Sequence, residues 1–191
     1  MKKFLFSFLA IAVISISFIG CSNEASNNPI SSENSTSATL DKRPGDGQTI
    51  VGIASSLPDF SYLVAAVKFA GLDGVLNGNR QFTVFAPTNE AFDALAVKLG
   101  YIQGPDLLIE ANRELVKNVL LYHVSPGNKF AQNVLKSGRV NTLLKQFIES
   151  RIENGVPQVG NMTTGYANII DTDLRAQNGT IHVIDKVLLP R

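Results

Sequence analysis

The apolar positions of the chain change period twice. From Thr49 onward Ile50, Val51 and Ile53 open a short apolar helix that ends near Leu57-Pro58. Phe60, Leu63, Val64 and Val67 then recur at one-faced helical spacing as far as Gly71. Leu72, Val75 and Leu76 make a brief connection, closed by the turn signal Asn77-Gly78. Beyond it the period becomes two. In the stretch from Gln81 to Phe92, Phe82, Val84 and Ala86 fall on one side of a pleat and Thr83 and Phe85 on the other. Such a strand is largely apolar on both faces and belongs in an interior. Pro87 lacks a ladder donor and ends it, while Thr88 is placed to cap a helix whose first turn carries Glu90 at its positive end. Ala91, Phe92, Leu95 and Leu99 continue at helical spacing.

A loop with Gly100, Gly104 and Pro105 leads through Leu107 and Leu108 to Asn112, where another helix begins. Its apolar stripe is Leu115, Val116, Val119 and Leu120, and its wet side is Arg113, Glu114, Lys117 and Asn118. It runs into Leu121-Tyr122-His123-Val124 and stops at Pro126-Gly127. The remainder reads as β structure. Val140 to Leu143 is a short strand, and Phe147 to Ile152 and Val156 to Val159 flank Asn154-Gly155. Ala167 to Leu174 and Thr180 to Leu189 repeat this hairpin device around Asn178-Gly179. Helices first and strands later predict an α+β domain with a mostly antiparallel sheet system.

Before Thr49 the pattern is of another kind. Lys2 and Lys3 precede an uncharged run from Phe4 to Ile19 and then Gly20-Cys21, which predicts a signal peptide over residues 1–20. Ser22 to Gly47 is rich in Ser, Asn, Thr and Glu, with Ile30 and Leu40 as its only large apolar residues, and reads as a flexible tether. The expected organisation is therefore signal peptide 1–20, Cys21 and tether 21–47, and a folded domain 48–191. A domain of roughly 145 residues buries about 70% of its unfolded surface and needs neither metal nor disulfide, and Cys21 is the chain's only cysteine.

Charge narrows the partners. The chain has 17 basic and 16 acidic residues and no Trp, which argues against nucleic acid. Without Lys2 and Lys3 the balance is 15 basic to 16 acidic, a net charge of −1.

Two resemblances add to this reading. Phe18-Ile19-Gly20-Cys21 resembles the lipobox of bacterial lipoproteins, with Phe18 where Leu is usual. That resemblance implies a lipidated Cys21 and a membrane as partner. Each buried acyl methylene contributes about 0.8 kcal/mol, and several chains together give lasting attachment. Ser22 after the cysteine resembles the pattern for outer-membrane sorting, so an outer-membrane-anchored lipoprotein of a bacterial envelope is expected. Further on, Thr83-Val84-Phe85-Ala86-Pro87-Thr88-Asn89-Glu90-Ala91-Phe92, Leu121-Tyr122-His123-Val124 and Asn178-Gly179-Thr180-Ile181-His182-Val183-Ile184-Asp185-Lys186-Val187-Leu188-Leu189-Pro190 resemble, in order and spacing, the fasciclin-like (FAS1) domain family. The resemblance covers Thr49 to Pro190. It implies a β-sandwich wedge of mostly antiparallel strands with helices packed on one side, a surface role in adhesion or matrix contact with extracellular protein or polysaccharide, and no established catalytic centre.

The same resemblance supplies candidate partner-binding residues. One region surrounds Tyr122 and His123; the other is the Asp-Ile-type motif, here Asp171-Thr172-Asp173-Leu174-Arg175, in which Asp173 and Leu174 fit and Arg175 stands where an apolar residue is expected. His123 and His182, the only histidines, could hold a metal with a nearby Asp, but each sits in an apolar stretch where a half-buried imidazole serves structure. A hydrolase built on His123 with Ser125, or on Asp171, Asp173 and Asp185, lacks a nucleophile elbow, a ligand cluster and a phosphate loop. No cofactor, metal or enzyme activity is therefore expected. The competing reading is an envelope module that binds a glycan or other small ligand, for which Tyr62, Tyr101, Tyr122 and Tyr166 are the available tyrosines.

Overall fold

The structure is a computed structural model and describes residues 47–191; the signal peptide, Cys21 and nearly all of the tether lie outside the described residues. The helices are α1 (Ile50–Ser56), α2 (Ser61–Phe69), α3 (Asp73–Leu76), α4 (Asn89–Lys98), α5 (Arg113–His123) and α6 (Ala131–Ser137). The strands are β1 (Phe82–Pro87), β2 (Val124–Pro126), β3 (Arg139–Asn141), β4 (Phe147–Glu153), β5 (Val156–Asn161), β6 (Gly165–Ala176) and β7 (Gly179–Ile184). They form the order β2-β1-β7-β6-β5-β4-β3. All neighbours are antiparallel except β1 and β7, which run parallel from Phe82 opposite Gly179 to Pro87 opposite Ile184.

Strand β6 joins the two halves of this order. Its first residues pair with β5 and the stretch from Ile169 onward pairs with β7, with register shifts at Ile169/Asp171 and at Asp171/Leu174. Such irregularities bend a strand and raise its twist. Two cores lie on opposite faces of β1 and β7. Phe82, Val84 and Ala86 of β1 and Ile181 and Val183 of β7 face α1 to α5, where they meet Ile53, Leu63, Leu76, Phe92 and Leu120. Phe85 and Ile184, on the opposite face of the same strands, pack with Tyr122, Val134, Ile148 and Val159. Strands β1 and β7 are buried along their whole length, as the two-faced apolar pattern of β1 requires.

The turn from β1 into α4 follows its residues. The Thr88 hydroxyl accepts from the Ala91 amide at 3.4 Å, and Glu90 occupies the first turn. Asn89 ties this helix start back to the start of α2: its Oδ1 accepts from the Tyr62 amide at 3.1 Å and its Nδ2 donates to the Pro58 carbonyl at 3.0 Å.

Several boundaries differ from the sequence reading. Leu72 to Leu76 contains the short helix α3, and Leu115 is half exposed instead of belonging to the buried stripe of α5. Residues 131–137, read as part of a β region, form α6; Val134 is its one buried residue and Gly138, at φ 67, closes it in the left-handed conformation. This helix packs in the second core, away from the layer formed by α1 to α5. The strand expected over Val140 to Leu143 is β3, which ends at Asn141. The last strand ends at Ile184. Of the two hairpins, Asn154 (φ 51) and Gly155 (φ 81) make the expected turn. The second turn is Gln177-Asn178, with Gly179 already paired to Ala176 as the first residue of β7.

Candidate functional site

Tyr122 and His123 close the last turn of α5 and point into the interior; they are 0% and 1% exposed. His123 Nδ1 donates to the Val119 carbonyl at 2.7 Å and Nε2 accepts from the Leu188 amide at 2.9 Å, which fixes the neutral Nδ1–H tautomer. Burial lowers its pKa to about 4, so the ring is uncharged at neutral pH. The Tyr122 hydroxyl donates to the Phe147 carbonyl at 3.0 Å and accepts from Asn161 Nδ2 at 3.0 Å. Burial raises the pKa of this phenol. Asn161 is itself fully buried; Nδ2 also donates to the Leu189 carbonyl, and Oδ1 accepts from the amides of Thr163 and Thr164. The pair thus holds α5 to β4, to β5 and to the segment after β7. Neither residue presents an atom to a partner in this conformation.

Asp173 and Leu174 lie at the bulge of β6. Asp173 adopts φ 60, its amide faces His182 Nδ1 at 3.3 Å and its Oδ1 accepts from the Ala131 amide at 2.8 Å. His182 Nε2 donates to the Lys129 carbonyl at 3.0 Å, so this imidazole also has both nitrogens engaged, and burial lowers its pKa. Around it the loop after β2 is laid across β1 and β7: the Thr83 hydroxyl donates to the Gly127 carbonyl at 2.7 Å and accepts from the Lys129 amide at 2.8 Å, and Thr180 bonds Asn128. Leu174 is half-buried and packs against the first core. Of this motif Asp171, Thr172 and Arg175 are exposed, and the Arg175 guanidinium lies 5.1 Å from the centre of the Phe130 ring.

The candidate chemistry does not assemble. Both His123 nitrogens are committed elsewhere than to Ser125, whose hydroxyl instead accepts from Lys129 Nζ at 3.0 Å. Asp185 turns away from the histidines and accepts from the amide and side chain of Asn168 at 2.8 and 2.6 Å. Among the described residues no group of three or more His, Cys, Asp or Glu could hold a metal ion. Two features escaped the sequence reading. Asn178, 3% exposed, is a hub and more than a turn residue: Oδ1 accepts from the Ile50 amide at 2.8 Å, while Nδ2 donates to the carbonyls of Leu76 at 2.6 Å and Gly78 at 3.1 Å. The other is a surface cleft lined by Arg139, Lys145, Gln146, Phe147, Glu149 and Arg191, whose residues come from separate elements and share no local spacing.

Comparison with known proteins places this architecture. Residues 58–190 match the family model of the fasciclin domain. Protein sll1483 of Synechocystis is 42% identical over 142 residues, which cover 74% of this chain and 73% of that protein. The transforming growth factor-beta-induced protein ig-h3 of Sus scrofa is 32% identical over 176 residues, 85% of this chain and 24% of its own. Among solved structures, the FAS1 domain pair of the insect cell adhesion molecule fasciclin I superposes with a TM-score of 0.65 at 22% identity, covering 75% of this chain and 51% of that one, a likeness of fold. Although the family match starts at Pro58, α1 upstream of it contributes Ile50, Ile53 and Ala54 to the first core. By the family match and the identity to its relatives, the chain belongs to the fasciclin domain family.

Proposed function

We propose that this chain is a non-enzymatic adhesion or matrix-interaction module of a bacterial envelope, held to the outer membrane through a lipidated Cys21 and extended on the polar stretch 22–47. Membership of the fasciclin domain family carries the adhesive reading, and the lipobox-like Phe18 to Cys21 carries the anchor. The internal commitment of both histidines supports a role for the outer surface instead of a reaction centre. The solved relative is described as a cell adhesion molecule, and the same use is proposed here for contact with a neighbouring cell or a matrix polymer.

Expression on the surface of a non-adherent bacterial host tests this. The wild-type chain is expected to cause aggregation or attachment. Cys21→Ser, which removes the thiol to be lipidated, is expected to release the protein from the membrane fraction and abolish the effect. Unchanged adhesion with and without the chain contradicts the proposal, and membrane retention of the Cys21→Ser variant contradicts the anchor.

A further inference from the structure

Strands β3 and β4 turn Arg139, Phe147 and Glu149 to one outer face. Arg139 lies opposite Glu149 in the register, and Ile148, between Phe147 and Glu149, is fully buried on the other face. The hairpin joining the strands carries Lys145, and together with Gln146 and Arg191 these residues line a surface cleft of about 310 Å³. The hairpin is built to hold its shape. Thr142 donates to the Gln146 carbonyl through both its amide and its hydroxyl at 3.0 Å, and the Lys145 amide donates to the Thr142 carbonyl at 3.0 Å. Lys145 itself is fixed at φ 62, a backbone conformation uncommon for residues other than glycine.

The charges in this cleft do not cancel. Glu149 is the cleft's one side-chain carboxylate, and it is already engaged: Oε2 accepts from the Tyr166 hydroxyl at 2.8 Å and Oε1 from the Arg191 guanidinium at 3.2 Å. The Tyr166 hydrogen bond, with the charges of Arg191 and Arg139, lowers its pKa. Gln146 holds the Arg191 backbone in place, accepting from its amide at 3.0 Å. Arg139 and Lys145 are both exposed and form no ion pair among the described residues. Beside them Phe147 leaves 54% of its surface open to water.

We propose that this cleft binds an acidic polysaccharide, taking one sugar residue at a time. Its carboxylate or sulfate lies between Arg139 and Lys145, and the C–H face of the ring rests on Phe147. Arg matches a planar carboxylate with two parallel N–H donors and Lys adds a point charge, while an exposed ring framed by polar groups suits an amphipathic sugar. A nucleic acid would call for a longer basic track than two free cations. The inference rests on the adhesion reading and names the chemistry of what that surface meets.

Binding of the full chain to polygalacturonate, with dextran, polyphosphate and anionic phospholipid vesicles as comparisons, tests it. The variants are Arg139→Gln with Lys145→Asn, since Asn accepts left-handed backbone, and Phe147→Ser, whose backbone carbonyl still serves Tyr122. Wild type is expected to bind the polyuronate in a salt-sensitive manner and dextran far more weakly. The double variant is expected to lose at least about tenfold in affinity and most of the salt dependence. Phe147→Ser is expected to weaken binding several-fold with the salt dependence kept, and both variants to unfold at the wild-type denaturant midpoint. Absence of polyuronate binding at low salt overturns the proposal. So does equal binding by the double variant, or equal affinity for dextran, polyphosphate or vesicles. The same variants displayed on cells separate this from the adhesion reading: no polymer binding with adhesion intact removes the cleft alone, and polymer binding lost with adhesion unchanged leaves the cleft and removes its adhesive use.

Discussion

His123 accepts the Leu188 amide on one ring nitrogen and donates to Val119 with the other, so a single imidazole joins the end of α5 to the segment that follows β7. Replacing it by Ala leaves the Leu188 amide unpaired in a dry interior and opens a cavity. His123→Ala is expected to lower stability by about 3 kcal/mol. The shift in the urea midpoint at constant m-value measures this, and a change below about 0.5 kcal/mol contradicts the role given to His123.

The same ring sets a pH dependence. Its pKa is 6.5 in the unfolded chain and about 4 in the folded one, because burial disfavours the charged form. Between these values the unfolded chain takes up a proton that the folded chain refuses. The stability is fully present above about pH 6.5 and is lost as pH falls toward 4, by on the order of 3 kcal/mol in all. His182 shifts in the same direction for the same reason. The lowered carboxylates Glu90, Glu110 and Glu149, whose ordinary value is 4.5, lose stability in the same direction mainly below about pH 5, so the fall between pH 7 and pH 5 reports chiefly on the histidines. Denaturant midpoints are expected to fall steadily from pH 7 to pH 5, and less steeply in a His123→Phe variant. A flat profile over that range contradicts the buried neutral state.

Gly179 is required by the closeness of β1 and β7. A Cβ at this position would lie 1.9 Å from the Phe82 carbonyl oxygen, inside the parallel pair itself. Gly179→Ala is expected to cost more than about 4 kcal/mol or to abolish soluble expression. Gly74 is the matched control: it sits in α3 with nothing within 4 Å of its added Cβ, and Gly74→Ala is expected to be neutral or stabilising by up to about 1 kcal/mol. Thermal melts of the two variants decide this, and equal behaviour contradicts the packing described.

Asn178 gives a separate test of the hub between α1, α3 and the β6–β7 turn. Asn178→Ala leaves the Ile50 amide and the Leu76 carbonyl without their partner, at an expected cost of about 2 to 4 kcal/mol. Asn178→Asp is expected to be at least as harmful, since it puts a carboxylate against two carbonyls. Chemical denaturation of both variants measures the cost, and wild-type stability of either contradicts the assignment.

What could be read from the sequence followed local rules. The turn from β1 into α4, the Asn154-Gly155 hairpin and the buried character of β1 depend on neighbours within a few residues, and the structure has them where the pattern puts them. The segment 131–137 carries one buried side chain, Val134, so it offered no periodic stripe and its helix went unread. The parallel pairing of β1 with β7 and the long-range bonds of Asn178 join residues about a hundred positions apart, and no local pattern encodes them. Tyr122 and His123 stood out as candidates for partner contact, yet the end of α5 turns them inward, and only the fold could show which way they face.

That Tyr122 and His123 serve the interior while partners are met by the outer surface is tested most directly with Tyr122→Phe. This change keeps the buried ring and removes only the hydroxyl that bridges Phe147 and Asn161. It is expected to cost about 1 to 2 kcal/mol of stability. Adhesion of cells displaying the variant, normalised to the amount of folded domain on their surface, is the measurement. Adhesion per folded domain equal to wild type is predicted; its loss from a domain that remains folded would contradict the structural role and make Tyr122 part of the binding surface.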